Sequence, residues 1–181
     1  LMFHFFGKKR FLVDYLENFV DIHNHILPGL DDGAQTLDDS LTILKGFRDL
    51  GIQNFVATPH IMQNYYPNTP ETIGNSLALL QNELLKNNWK DVYIEAAAEH
   101  MIDANFEPLL EQKKVMPLRK NYLLVEMSYL QPPLNFEEAI EKTKSHALFP
   151  ILAHPERYGF LHNQFRKYSK YKEKGMLFQM N

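Results

Sequence analysis

The sequence predicts an α/β fold built as a barrel of parallel strands, and three observations predict it. Apolar runs of strand length alternate with segments of helical period along the chain, and parallel strands need crossover connections of this kind. No Gly-rich phosphate fingerprint follows the first strand, which disfavours a dinucleotide-binding sheet. Each of the first five strand segments carries a histidine or glutamate at or near its C-terminal end, the face where parallel barrels place their active sites.

The first strand is "FVDIH" (19–23), followed by a helix in "TLDDSLTILKGFRDLG". Thr36 can cap that helix, Leu37, Leu41, Leu44 and Phe47 form its apolar face, and Gly51 can end it. The second strand, "IQNFVATPH" (52–60), runs into the polar loop "QNYYPNTP". A helix opened by Thr69 follows, with Pro70 at its first position and Ile73, Leu77, Leu80 and Leu84 on one face. The third strand, "VYIEAAAEH" (92–100), leads to a shorter helix around "FEPLLEQ". The fourth, "YLLVEMS" (122–128), leads to "NFEEAIEKTKSH", where Asn135 and Glu138 have capping-box spacing. "FPILAHPER" (149–157) and "QFRKYSKYKEKG" make the fifth pair, and "MLFQMN" reads as a sixth strand. A complete barrel of this kind takes about 250 residues, so at 181 residues the expectation is a barrel that is C-terminally incomplete in this chain.

Composition narrows the function. With 45% hydrophobic and 23% charged residues the chain reads as one globular domain, and a formal net charge of -3 with mixed signs provides no basic stripe for nucleic acid. The absence of cysteine excludes disulfides, thiolate metal sites and a cysteine nucleophile, so hydrolysis would depend on oxygen, histidine or a metal. The start "LMFHFFGKKRFLVDYL" lacks a small-residue cleavage site, and no run approaches the ~18 apolar residues of a membrane span. The expectation is a cytoplasmic protein with no membrane insertion, an N-terminal arm at residues 1–18, and a single globular domain at 19–181.

The chemistry lies at the strand ends: His23 and His25 on the first, His60 on the second, Glu99 with His100 beside it on the third, Glu126 on the fourth, His154 on the fifth. Imidazole and carboxylate together suit zinc, manganese or ferrous iron, and a glutamate can bridge two ions. Strand alternation in "HNH" sends His23 and His25 to the same side. Asp31 and Asp32 fit a simple turn with Gly33 equally well. Tyr65, Tyr66 and Tyr129 sit on loops at the same mouth, either flanking a substrate or packing the loops.

At "DIHNHILPGLDDGA", "ATPH", "AAAEHM", "LLVEMSY" and "AHPERY" the chain resembles the polymerase-and-histidinol-phosphatase (PHP) superfamily. Within it the likeness is greatest to capsule-operon tyrosine-protein phosphatases of the CpsB/YwqE type, and spans roughly residues 19–181. The resemblance implies a PHP-type distorted (β/α)7 barrel holding up to three divalent ions, most often Mn, with Fe or Zn as alternatives. It implies dephosphorylation of phosphotyrosine on a cognate bacterial tyrosine kinase in capsular or exopolysaccharide synthesis. By that likeness His23, His25, Asp32, His60, Glu99, Glu126 and His154 are metal ligands and Arg157 binds phosphate as the catalytic arginine. The family also draws ligands from an Asp-x-His motif on its last strand, and the chain contains no such motif after "MLFQMN". The resemblance leaves two alternatives: a small-molecule phosphatase of the histidinol-phosphate kind, and a non-catalytic PHP domain that docks to a kinase. His100 is a further candidate, as proton donor to a departing phenolate or as a residue turned away from the site.

Overall fold

A computed structural model describes residues 11–16 and 18–181. Residues 1–10 and 17 of the expected N-terminal arm lie outside the described residues. Five α-helices follow the expected order: α1 (Leu37–Asp49), α2 (Pro70–Lys86), α3 (Phe106–Glu111), α4 (Phe136–Ser145) and α5 (Phe165–Glu173). Thr36 and Thr69 both close capping boxes, with Asp39 and Thr72 as reciprocal partners, and Gly51 takes φ +82° just past α1. These signals act within one turn of chain, so they survive folding unchanged. Asn135 departs from expectation. At φ −93°, ψ 18° its backbone lacks the extended form that the Thr36 and Thr69 caps adopt, so its side chain makes no cap, and its Nδ2 donates to Glu107 on α3.

The strands are parallel but form two sheets. β1 (Val20–Asp21), β2 (Asn54–Ala57) and β4 (Tyr93–Ala96) make a three-stranded sheet in the order β1-β2-β4. β3 (His60–Ile61), β5 (Glu99–Met101), β6 (Tyr122–Glu126), β7 (Phe149–Ala153) and β8 (Leu177–Gln179) make a five-stranded one, in that order. The expected second and third strands are therefore each broken in two. Pro59 has no N–H for a ladder, and the Thr58 backbone N–H is taken by the Asn24 carbonyl at 2.9 Å. In the third strand the Ala98 N–H turns to Met116 at 3.1 Å. Beyond each break the pairing resumes, His60 beside Glu99 and Met101 beside Glu126.

Alternate strand residues face opposite sides. Phe55, Ala57 and Ile94 pack with Leu44 of α1 and Leu80 of α2, while Leu123, Val125 and Leu152 pack with Phe106, Ile140 and Tyr171 of α3, α4 and α5. On the other side Val56 of the first sheet meets Leu124, Ile151 and Ala153 of the second in one small cluster. Both sheets thus look onto a shared apolar interior and carry helices outside, which explains why their sequences are apolar at nearly every position. Among the described residues no helix is long and apolar enough to cross a membrane.

Candidate metal centre

Glu99 opens β5 and is fully buried. Its Oε1 lies 2.9 Å from His154 Nε2, and its Oε2 lies 3.2 Å from His23 Nε2, 3.6 Å from His25 Nε2 and 3.2 Å from His60 Nδ1. Four expected histidines thus converge on one carboxylate. Glu126 closes β6 and brings Oε1 to 2.7 Å from His60 Nδ1.

Each histidine reaches this point by a different local device. β1 ends at Asp21, so His23 and His25 leave the sheet before alternation can place them. Buried Asn24 holds them, its N–H donating to Thr58 Oγ1 and its Nδ2 to the Val56 carbonyl. With the middle residue pinned, the two rings stand side by side at 5.7 Å. His60 begins β3 rather than ending a long strand, and its ring stacks on Tyr66 at 5.4 Å. His154 sits just past β7 at φ 33°, ψ 58°, left-handed backbone that a β-carbon disfavours by about 1–3 kcal/mol. Strain of that kind persists where surrounding structure imposes it, and here it turns the ring inward to Glu99.

The charges are balanced but incompletely bonded. Burial alone would raise the Glu99 pKa, yet His154 and His23 hold it below the ordinary carboxylate range. Burial, with the Glu99 charge adding to it, raises Glu126. His60 Nδ1, Glu99 Oε2, Glu126 Oε1 and His154 Nδ1 are buried with no hydrogen-bond partner. Orphaned buried polar atoms cost about 1–3 kcal/mol each, and here His60 Nδ1 faces both Glu99 Oε2 and Glu126 Oε1. Among the described residues three sets bring ligand atoms within 4.8 Å of each other: His23, Glu99 and His154; His25, His60 and Glu99; His25, Asp31 and Asp32. A divalent ion coordinated by imidazole and carboxylate fits these orphaned atoms, and Glu99 is shared by the first two sets.

The aspartates divide. Asp31 is buried and accepts from His25 Nδ1 at 2.7 Å, His60 N at 2.9 Å and Gly33 N at 3.0 Å. Burial opposes its ionisation, but His25 and these donors lower its pKa. Asp32 is exposed, with Oδ1 3.5 Å from His60 Nε2. The residues alone left the two aspartates open and only the family resemblance singled out Asp32; the local pattern gave no sign that Asp31 would turn inward. Gln179 was also missed. From β8 it accepts at 2.6 Å from His23 Nδ1, and nothing in "MLFQMN" signals it.

His100 points away from this centre. It is fully buried, its Nδ1 3.2 Å from the Leu124 carbonyl and its Nε2 accepting from Met116 N, and burial lowers its pKa to about 4. A proton donor at the mouth it is not: β5 alternation sends its ring to the face opposite Glu99.

A cleft of about 800 Å³ opens beside the cluster, lined by Asp32, His60 and Glu126 together with Tyr65, Tyr66 and Tyr129. Tyr129 also lies over His154, ring centroids 5.8 Å apart. Arg157 ends the short helical turn after His154 and is exposed; Tyr129 first, then the charges of Glu156 and Glu99, raise its pKa further, so it stays cationic.

Fold and site together define a parallel α/β protein with a buried histidine–carboxylate cluster at a cleft. The family described as "Capsular polysaccharide synthesis, CpsB/CapC" matches residues 19–181, and the chain belongs to it. It is 30% identical over 139 residues to "Tyrosine-protein phosphatase YwqE" of Bacillus subtilis (strain 168), covering 76% of this chain and 54% of that protein. It is 24% identical over 163 residues to "Tyrosine-protein phosphatase CpsB" of Streptococcus agalactiae, covering 90% and 67%. It superposes with a TM-score of 0.81 and 28% identity on a solved structure from work on YwqE of Bacillus subtilis and CpsB of Streptococcus pneumoniae, described as "unique metal-dependent tyrosine phosphatases". That match covers 89% of this chain and 65% of the other. The chain spans about half the length of the Bacillus relative.

Proposed function

We propose that this chain carries the metal site of a cytoplasmic, metal-dependent protein-tyrosine phosphatase acting on a bacterial tyrosine kinase in capsular or exopolysaccharide synthesis. The observation that carries the reading is the convergence of His23, His25, His60 and His154 on Glu99 with buried ligand atoms left unbonded. Family membership and the printed names of the relatives support the reaction and the capsule setting. The shared interior supports the finer fold: the two sheets are one wall of a PHP-type distorted barrel, with β2/β3 and β4/β5 as two interrupted strands.

In this reading His23, His25, His60, Glu99, Glu126 and His154 would hold divalent ions, manganese by the family resemblance, with Asp32 joining from the rim. When bound, such ions supply Lewis acidity toward phosphoryl oxygens and lower the pKa of water toward ~7. Arg157, beside Tyr129 on the cleft wall, would offer a planar fork to the phosphate. Tyr65, Tyr66 and Tyr129 flank the substrate ring, and Tyr66 steadies His60 by stacking on it.

The test is hydrolysis by chelator-stripped protein reloaded with Mn²⁺, Fe²⁺ or Zn²⁺, comparing a phosphotyrosyl peptide with histidinol phosphate. Metal-dependent preference for the peptide is expected. Preference for histidinol phosphate overturns the tyrosine phosphatase reading, and activity without metal overturns the mechanism.

A further inference from the structure

Two acceptors outside the expected ligand set have matching partners. Asp31 Oδ2 receives the ring N–H of His25 (2.7 Å) and the backbone N–H of His60 (2.9 Å). Gln179 Oε1 receives the ring Nδ1–H of His23 (2.6 Å) and, at 3.4 Å, the backbone N–H of His154. Each acceptor therefore fixes one candidate ligand by its ring and a second by its main chain. Asp31 lies on the loop after β1, and Gln179 lies on β8. Together they tie the His-x-His segment to the first residue of β3 on one side and to the end of β7 on the other.

The chemistry of the acceptors fixes the tautomers. An ionised carboxylate has no hydrogen to give, so the shared proton belongs to His25 Nδ1. The Gln179 amide is oriented by its Nε2, which donates to the Met180 carbonyl at 3.0 Å, so its Oε1 faces His23 and again the proton is on Nδ1. In both rings the lone pair is then on Nε2. Those two Nε2 atoms are the ones aimed at Glu99 Oε2, at 3.2 and 3.6 Å.

We infer that Asp31 and Gln179 are the positioning residues of the metal centre, locking His23 and His25 as Nδ1–H imidazoles that present Nε2 to a divalent ion while anchoring His60 and His154 through the backbone. The inference rests on the metal-centre reading above. Carboxylate or amide partners behind ligating histidines govern ring orientation and basicity, and losing one weakens metal affinity about 10–100-fold. No isostere of Asp31 keeps both of its oxygens as acceptors. In Asp31→Asn the amide NH₂ must face a donor, either Gly33 N–H or the pair from His25 and His60. Gln179→Glu, by contrast, keeps an acceptor for both of its donors.

The experiment titrates Zn²⁺ alone against a chelating dye, well below the unfolding temperature. Asp31→Asn and Gln179→Leu should raise the Zn²⁺ dissociation constant about 10–100-fold, and Gln179→Glu should restore most of the loss. Ser76→Ala serves as the structural comparator: it removes a buried 2.8 Å hydrogen bond to the Pro28 carbonyl in the same loop region without touching a histidine. It should lower thermal stability and leave Zn²⁺ affinity unchanged. If either variant fails to fold, ¹⁵N NMR of Zn²⁺-loaded unmodified protein decides, through protected Nδ1 protons on His23 and His25. Wild-type affinity in Asp31→Asn and Gln179→Leu, or rings protonated at Nε2, overturns the inference while leaving the metal reading intact. Absence of Zn²⁺ binding in the unmodified protein overturns both.

Discussion

His60 and Glu126 face each other at 2.7 Å, Nδ1 to Oε1, and yet neither atom has a hydrogen-bond partner. Contact without bonding geometry at a buried site is a cost that an ion between or beside the two would relieve. Adding Mn²⁺ or Zn²⁺ at about 100 times its dissociation constant should stabilise chelator-stripped protein by about 2.7 kcal/mol, read as a rise in Tm. Glu126→Gln should bind fewer ions per chain by elemental analysis. Full metal content in that variant would remove Glu126 from the ligand set.

Protons compete for the same atoms. Burial alone would lower the His60 pKa, but Glu126, then Glu99 and Asp31, raise it from 6.5 to about 9 in the metal-free protein. A raised histidine pKa contributes stability that is complete below pH 6.5 and is lost as pH rises through about 9. The ion must displace that proton, so its affinity rises over the same window. Melting curves from pH 6.5 to 9.5 should show metal-free and metal-loaded protein diverging as pH rises; parallel curves would contradict the assignment.

Gly33 lies against His25 so closely that an added β-carbon would stand 2.1 Å from the His25 carbonyl oxygen and 2.4 Å from its Cβ. Both neighbours are on the candidate ligand itself, and the loop is closed there by Ala34 N donating to the same carbonyl. Gly33→Ala should cost about 2–3 kcal/mol through overpacking and weaken metal binding in parallel. Gly46→Ala, on an exposed face of α1 with nothing within 4 Å, should instead stabilise by about 0.5–1 kcal/mol. Chemical denaturation of the two variants measures both signs.

Arg157 is exposed beside Tyr129 and holds no ligand atom. Arg157→Ala should lower kcat/KM on a phosphotyrosyl peptide about 100-fold, the scale of losing one electrostatic donor, and Arg157→Lys should recover part of it. Metal content should stay at the wild-type level, whereas in His154→Ala it should fall. An arginine whose loss lowers Tm and metal content together with rate would have a structural role instead.

The helices and the identities of the convergent residues were legible because their signals are short-range. Thr36 caps α1 through an N–H three residues away, and the Ile73–Leu84 face follows from helical period alone. His60, Glu99, Glu126 and His154 announced themselves by chemical type at the ends of apolar runs. Asn135 shows where such reading stops: its spacing to Glu138 was right for a cap, and a carboxylate 28 residues upstream took its side chain.

By itself the sequence determined the order of strands and helices, their parallel sense, and the set of histidines and glutamates that gather at one end. Only the tertiary structure decided that the second and third strands break at Pro59 and Ala98 into two sheets, that Asp31 rather than Asp32 turns inward, that His100 faces away, and that Gln179 stands behind His23. The reason is one of range. Propensity, alternation and capping are settled by neighbours within a few residues, whereas these outcomes depend on which donor or acceptor another segment offers. Gln179 meets His23 across 156 residues of chain, and no pattern local to either one encodes the other.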